Sequence, residues 1–351
     1  MAPASVSLPA GARVLLRLPN WLGDVVLCTP AVAALRRARP DLELQALVKP
    51  GVRPAVEGLA GIASVALLAD TGLTGTLRQS RILARQGFAA ALIFPKGIRE
   101  ALLVRLAGVP VRAGLDTDRR AFLLTHPVSF TPADWHAHHA LQFAKVLSPL
   151  GVVLDGEGLA FPVGEADRFQ AEEVLREAGI AGSFAAFHIA ASKAPRAWHP
   201  ERFGEVALGL ERQLGLRSVL VGAPVDAPVH ERFRKVCPSA VDLAGKTTLT
   251  GMAAVLERAA LFVGNDSGPM HVAAAVGTRV VAVFGPGAPY KTAPYLAPDR
   301  VRVVYASLPC SPCRQAFWRE CSPGPSGKPP CLEGTPSQAV LLACLGLVGE
   351  G

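Results

Sequence analysis

An acid, a hydroxyl, a glycine, a proline and a histidine stand together at Asp266-Ser-Gly-Pro-Met-His271, between an apolar stretch ending at Gly264 and the apolar run 280–284. Asp266 and Ser267 are residue types that favour a helix N-cap, and Gly268 lets the backbone approach a ligand. Pro269 suits the first helical turn, where its missing N–H costs nothing. The segment therefore predicts strand, turn, helix and strand, with free N–H groups and the positive end of a helix dipole facing whatever lies before Ser267 and Gly268. A diphosphate suits that environment. A plain capped helix has the same local sequence; His271, four residues after Ser267 and on the same helical face, favours the binding turn.

A second turn, Pro19-Asn-Trp-Leu-Gly-Asp24, follows a strand at 13–18 and leads into a helix over 25–39. On the plainest reading Asp24 caps that helix, but ligands of open parallel sheets collect at the carboxyl ends of strands, which points Asp24 toward a cleft. The loop after a strand at 184–188 carries Ser192, Lys193 and Arg196 beside Trp198 and His199. Asp226, in the Gly222-Ala-Pro-Val-Asp226 turn after a strand at 218–221, is placed to accept hydrogen bonds from ribose hydroxyls. A group transfer that releases a diphosphate needs a base for the attacking hydroxyl and cationic or dipolar groups for the departing diphosphate. Both are present, one in each half.

The elements that must position these groups alternate throughout. Strands at 13–18, 42–48, 65–68 and 89–94 are separated by helices such as 25–39 and 76–86, and the pattern restarts after residue 152 with strand 184–188, helix 200–214, strand 218–221 and helix 249–258. Such alternation implies parallel sheets wrapped by helices. With a linker at 151–158, two domains are expected, 1–155 and 156–351, the second ending in a cysteine-rich tail at about 308–335.

Half of the 351 residues are hydrophobic and 18% are charged, enough for two cored domains. The apolar runs are too short to cross a bilayer, and residues 1–11 lack the basic start and apolar middle of a leader, so a cytoplasmic protein is expected. The net charge of +8 comes from 36 basic and 28 acidic residues. No basic run is interleaved with aromatics and no zinc-finger pair occurs, which argues against nucleic acid and leaves a phosphorylated, anionic partner surface or plain solvated arginines as readings of the charge. Cys310, Cys313, Cys321 and Cys331 leave two readings open, a structural zinc site or free reduced thiols. Cys28 is expected in the core. The group Asp134, His136, His138 and His139 reads as a helix start or an acceptor-side contact.

Four blocks occur in one order: Leu18-Pro-Asn-Trp-Leu-Gly-Asp-Val-Val26 with Thr29-Pro-Ala31, Ala191-Ser-Lys-Ala-Pro-Arg-Ala-Trp198, Gly264-Asn-Asp-Ser-Gly-Pro-Met-His271, and the cysteine-rich tail. From residue 13 to its end the chain resembles the ADP-heptose:lipopolysaccharide heptosyltransferases of glycosyltransferase family 9, in particular the heptosyltransferase II branch. The resemblance implies an α/β protein of the GT-B type, two Rossmann-like domains facing each other across a cleft, with the acceptor on the N-terminal and the nucleotide sugar on the C-terminal domain. It implies that Asp24 is the base of an inverting single displacement. Asp266, Ser267, Gly268 and His271 match the donor-binding motif, and Arg196, with Lys193 and Ser192 beside it, stands for the basic residue that holds the donor phosphates. Here Arg196-Ala-Trp-His-Pro replaces the usual basic-Trp-Pro run. Asp226 takes the place of a glutamate, one carbon shorter. Residues 94–101 loosely resemble the acceptor loop, so Lys96 and Arg99, with Arg119 and Arg120, are expected to read phosphate or carboxylate groups of the lipopolysaccharide inner core.

The resemblance implies ADP-heptose and an inner-core acceptor as partners, and no Asp-x-Asp pair is present to recruit a catalytic metal, so no cofactor is required. The basic face suggests peripheral contact with the inner membrane surface. Alternatives are a family 9 enzyme with another donor or acceptor, and a non-catalytic nucleotide-sugar-binding protein. A nicotinamide oxidoreductase would need Gly-x-Gly-x-x-Gly after the first strand and an acid at the end of the second; the chain has Gly23 alone in the first turn and Lys49-Pro50 after the second strand.

Overall fold

The computed structural model describes residues 6–68, 72–311, 313 and 315–349; the first five residues of the stretch read for a leader, and Pro312 of the cysteine tail, lie outside them. The chain divides into two compact units, one ending at Pro162 and one beginning at Val163.

In the first unit β1 (Arg13–Arg17), α1 (Leu22–Ala38), β2 (Glu43–Val48), β3 (Ser64–Leu67), α2 (Gly72–Ala84), β4 (Ala90–Ile93), α3 (Ile98–Leu106), β5 (Val111–Leu115), β6 (His126–Val128) and α4 (His139–Ala144) follow in order. The strands form one parallel sheet in the order β3-β2-β1-β4-β5-β6. Leu16 of β1 stands beside Ala46 of β2 and Leu92 of β4, and all three are fully buried, as expected of a sheet covered on both faces.

The second unit contains α5 (Glu165–Glu177), β7 (Phe184–His188), α6 (Pro200–Leu214), β8 (Arg217–Leu220), α7 (Ala227–Val236), β9 (Val241–Asp242), α8 (Leu249–Arg258), β10 (Leu261–Asn265), α9 (Gly268–Ala275), β11 (Val280–Phe284), α10 (Pro289–Thr292), β12 (Val301–Tyr305), α11 (Pro330–Glu333) and α12 (Ser337–Gly349). Its sheet order, β12-β11-β10-β7-β8-β9, is the same winding as the first when the strands are counted from β7. Both units have the doubly wound order 3-2-1-4-5-6 of a dinucleotide fold, and the protein is of the α/β class.

Local sequence explains the elements. In α6 Pro200 occupies the first turn, Phe203, Val206, Ala207 and Leu210 form a buried stripe at helical spacing, and Gly215 ends the helix with φ +66°. Burying each large side chain of that stripe contributes about 1.5–3 kcal/mol. The first helix departs from expectation. It begins at Leu22 with Trp21 as N-cap, so Asp24 lies inside its first turn and does not cap it. Among the described residues no helix is long and apolar enough to cross a membrane.

Candidate active-site residues

In each sheet the winding reverses between its first and fourth strands, and the loops that leave the carboxyl ends of those two strands diverge to opposite faces and leave a crevice. In the first unit these are the turn from β1 into α1 and the loop from β4 into α3. They line a cavity of about 330 Å³ that includes Asn20, Asp24, Lys96, Glu100, His139 and Gln142. Asp24 is about one-third exposed, and its Oδ1 lies 3.4 Å from His139 Nδ1, on α4. Of the two readings of the Asp134 to His139 group, the helix start is the one seen: His138 caps α4 and His139 opens it, beside Asp24.

A buried cation holds this turn in place. Arg17, fully enclosed at the end of β1, donates to Asn20 Oδ1 at 2.5 Å and to the Leu18 carbonyl, and pairs with Glu100 at 3.4 Å. Burial pulls its pKa down to about 10, which leaves it charged at neutral pH. As an arginine within an apolar strand, Arg17 carries no motif that marks it in the sequence.

The four cations expected at the acceptor side occupy different environments. Lys96 lines the cavity and donates to Gln142 Oε1 at 2.6 Å. Arg99 donates to Thr76 Oγ1 at 2.9 Å. Arg119 is exposed, in the left-handed region at φ +53°. Arg120 is fully buried, donating to the carbonyls of Leu115, Pro95 and Gly97 at 2.9, 2.6 and 2.8 Å. The expectation that Arg120 reads an acceptor phosphate therefore gives way to a structural role: its guanidinium ties the end of β5 to the loop after β4, shut off from solvent.

In the second unit the corresponding crevice lies at the ends of β7 and β10. Ser267 is the N-cap of α9, with extended backbone and no side-chain cap bond; its Oγ lies 3.3 Å from His188 Nδ1 at the end of β7. Gly268 and Pro269 form the first turn, and His271 is buried one turn further. Asp266, nearly buried, pairs with Arg196 at 2.6 Å, so the loop after β7 is tied to the turn after β10. Space there is tight: a Cβ at Gly287 would stand 2.4 Å from Asp266 Oδ2, so a side chain at 287 would push the carboxylate from its place beside Arg196.

Ser192 and Lys193 are exposed on the loop after β7. Lys328, from the tail, donates to the Ala194 carbonyl at 3.2 Å and adds a cation there that no motif announced. Asp226 accepts from the Ala223 N–H at 2.8 Å in the turn after β8.

Two further residues, inside the quoted blocks but given no role of their own there, organise this unit. Asn265 is fully buried, accepts from the Trp198 N–H at 2.9 Å and donates to the Ile189 carbonyl at 2.8 Å, joining the loop after β7 to β10. Trp198, also fully buried, packs edge-on against Phe203 at 4.7 Å and donates Nε1–H to the Thr335 carbonyl. Replacing Asn265 by Ala leaves a backbone N–H and a carbonyl buried without these partners, so Asn265→Ala is expected to lower stability by about 2 kcal/mol. Urea unfolding checks this; an unchanged midpoint would contradict it.

Of the two readings left open for the cysteine tail, the metal site finds no support. Among the described residues no group of three or more His, Cys, Asp or Glu side chains is placed to hold a metal ion. Cys310 is exposed, Cys313 and Cys321 are half-buried, and Cys331 is buried in the apolar core beside Leu332 and Val340. Burial pushes the Cys331 thiol up to about 11. The structural zinc reading of Cys310, Cys313, Cys321 and Cys331 is therefore withdrawn. Cys28 is fully buried in α1.

The sequence profile of Glycosyltransferase family 9 (heptosyltransferase) matches residues 76–321, well over half of the chain. The chain belongs to glycosyltransferase family 9. A curated relative, lipopolysaccharide heptosyltransferase 3 of Escherichia coli, is 26% identical over 277 residues, covering 75% of this chain and 80% of its own. Two solved structures share the fold. A family 9 glycosyl transferase from Veillonella parvula superposes with a TM-score of 0.82 at 24% identity, over 97% of this chain and 98% of the other. The ADP-heptose lps heptosyltransferase II of E. coli superposes with a TM-score of 0.77 at 20% identity, over 97% and 99%. This family 9 glycosyltransferase thus carries a crevice with a carboxylate on its first unit and one with a helix N-terminus and paired cations on its second.

Proposed function

We propose that this glycosyltransferase moves L-glycero-D-manno-heptose from ADP-heptose to a hydroxyl of the lipopolysaccharide inner core, in a step of the heptosyltransferase II type. The observation that carries the reading is the position of Asp24: a partly exposed carboxylate at the reversal point of the first sheet, freed from capping duty and bordering a cavity with Lys96 and His139. The equivalent crevice of the second unit holds the donor turn. The names of the relatives supply the sugar and the acceptor class.

Asp24 takes the proton of the acceptor hydroxyl as its oxygen attacks the anomeric carbon of the heptose. The new glycosidic C–O bond forms on the face opposite the departing group, and the bond from the anomeric carbon to the phosphate oxygen breaks with inversion. ADP leaves with the electron pair. Its growing charge meets the N–H groups at Ser267 and Gly268, the α9 dipole, and Arg196 with Lys193. Ser192, Asp266 and His271 shape the same pocket, and Asp226 accepts from the ribose hydroxyls. Residues up to Pro162 serve the acceptor, with Lys96, Arg99 and Arg119 in the wider acceptor region, and residues from Val163 serve the donor. The reaction needs no metal or other cofactor. The acceptor is lipid-linked, so the enzyme works in the cytoplasm in peripheral contact with the inner membrane surface.

Calorimetric titration with ADP-heptose, UDP-glucose and NADH, followed by transfer to heptose-deficient core acceptors, tests the reading. Selective binding of the ADP sugar and transfer to a Kdo- or heptose-terminated core are expected. Binding of another nucleotide sugar in its place would remove heptose from the assignment.

A further inference from the structure

A second cavity, of about 480 Å³, opens next to the one that holds Asp24 and shares Lys96 and Gly97 with it. Its other lining residues include Asp116, Asp118, Phe130 and Trp135. The size is ample for one or two sugar rings. Phe130 and Trp135 meet edge to face with centroids 4.9 Å apart, and Trp135 is half exposed. A large indole left that open in a cavity wall offers an apolar face to a ligand.

The charges of this cavity differ from those expected of an acceptor site. The Lys96 ammonium stands 4.5 Å from the Phe130 centroid and 5.3 Å from that of Trp135, and it donates to Gln142 Oε1. Arg120 is buried on carbonyls, and Arg119 is not among the lining residues. Two carboxylates therefore oppose one ammonium. Asp116 Oδ1 accepts from the Phe130 N–H at 2.7 Å and Asp118 Oδ2 from the Ile98 N–H at 2.9 Å, which fixes both carboxylates in place. Asp118 sits at φ +53°, a strained backbone position held at the wall of the cavity.

We infer that this cavity is an acceptor subsite for a neutral sugar, a pyranose whose C–H face lies on Trp135 while its hydroxyls donate to Asp116 and Asp118, and that it disfavours a phosphorylated residue. The inference rests on the glycosyltransferase reading, since the cavity adjoins Asp24. It also sharpens that reading: the acceptor residue beside the reacting sugar is selected for lacking charge, because a phosphate brought against two fixed carboxylates is repelled.

The test is calorimetric titration of the full chain with a deacylated, heptose-terminated core oligosaccharide, in its phosphorylated form and after phosphatase treatment. The dephosphorylated form should bind at least tenfold more tightly. Trp135→Ala should weaken its binding by about tenfold, the size of a lost aromatic contact, while Trp135→Phe restores most of it and ADP-heptose binding stays as in the wild type. Asp118→Lys should shift the preference toward the phosphorylated form. Equal binding to wild type and Trp135→Ala, tighter binding of the phosphorylated form, or no binding of either oligosaccharide would overturn the subsite. Binding does not depend on turnover, so the two readings fail separately. An oligosaccharide bound as described but never glycosylated would sink the transfer reaction and leave the subsite. Transfer by Trp135→Ala at an unchanged acceptor KM would do the reverse.

Discussion

Asp24→Asn is expected to lower kcat at least 100-fold while ADP-heptose binding, followed by calorimetry, stays within about twofold of wild type. Asparagine keeps the size of the side chain and an oxygen that can accept a hydrogen bond, but it cannot take a proton. A positioned general base contributes about 10²–10⁴ in rate, so a drop in this range is the signature of proton removal. The groups proposed to hold the donor all belong to the second unit, which explains why affinity should survive. Folding should survive too: Asp24 is partly exposed in the first turn of α1, where its charge contributes about 0.3–1 kcal/mol through the helix dipole. Asp24→Glu adds a control, since it restores a proton acceptor displaced by one methylene and should turn over between the two. Turnover by Asp24→Asn near the wild-type rate would remove Asp24 as the base.

Those parts of the fold that depend on local pattern were legible in the sequence. Strands β7 and β11 and helices α6 and α8 have the bounds that apolar runs and helical spacing indicate. Long-range consequences were less so. β5 contains Arg112 and Gly114, and β6 is three residues long with Pro127 at its centre, so neither shows a strand signature, yet both complete the first sheet by pairing with what precedes them. The site shows the same division. The turns that hold Asp24 and Asp266 are contiguous motifs and stand out. Arg17, His188 and Asn265 act through partners 3 to 83 residues away in the chain, and a single polar residue at the end of an apolar strand gives no sign of which loop it will hold. Arg120 is the converse case: an arginine pair in a basic segment reads as a pair of anion-binding cations, whereas three carbonyls from the end of β5 and the loop after β4 make it an interior cation.

His188 leads to the second large effect, a loss of stability in mild acid. It is buried at the end of β7, and burial, opposed in part by Asp226, lowers its pKa from the usual 6.5 to about 4. The unfolded chain binds a proton at this residue below about pH 6.5, while the folded protein refuses it until about pH 4. Between these limits the unfolded state carries the extra proton, so stability falls as the pH falls. The full shift corresponds to about 3 kcal/mol, of which about 2 kcal/mol should be lost between pH 7 and pH 5. His199, whose pKa is also lowered chiefly by burial, acts in the same direction. Carboxylates held low by partners, such as Asp134 with Lys145 and Asp242 with His230, lose their contributions only as the pH drops through the carboxylate range, below this window. Urea unfolding at pH 7 and pH 5 therefore isolates the histidines, and His188→Gln, which keeps a polar group beside Ser267, should flatten most of the difference. If the slope persists undiminished in that variant, it belongs to other buried histidines, such as His199. If it collapses, the residue 3.3 Å from the Ser267 hydroxyl is one the folded enzyme keeps neutral, and acid should loosen the turn at Ser267 before the rest of the sheet.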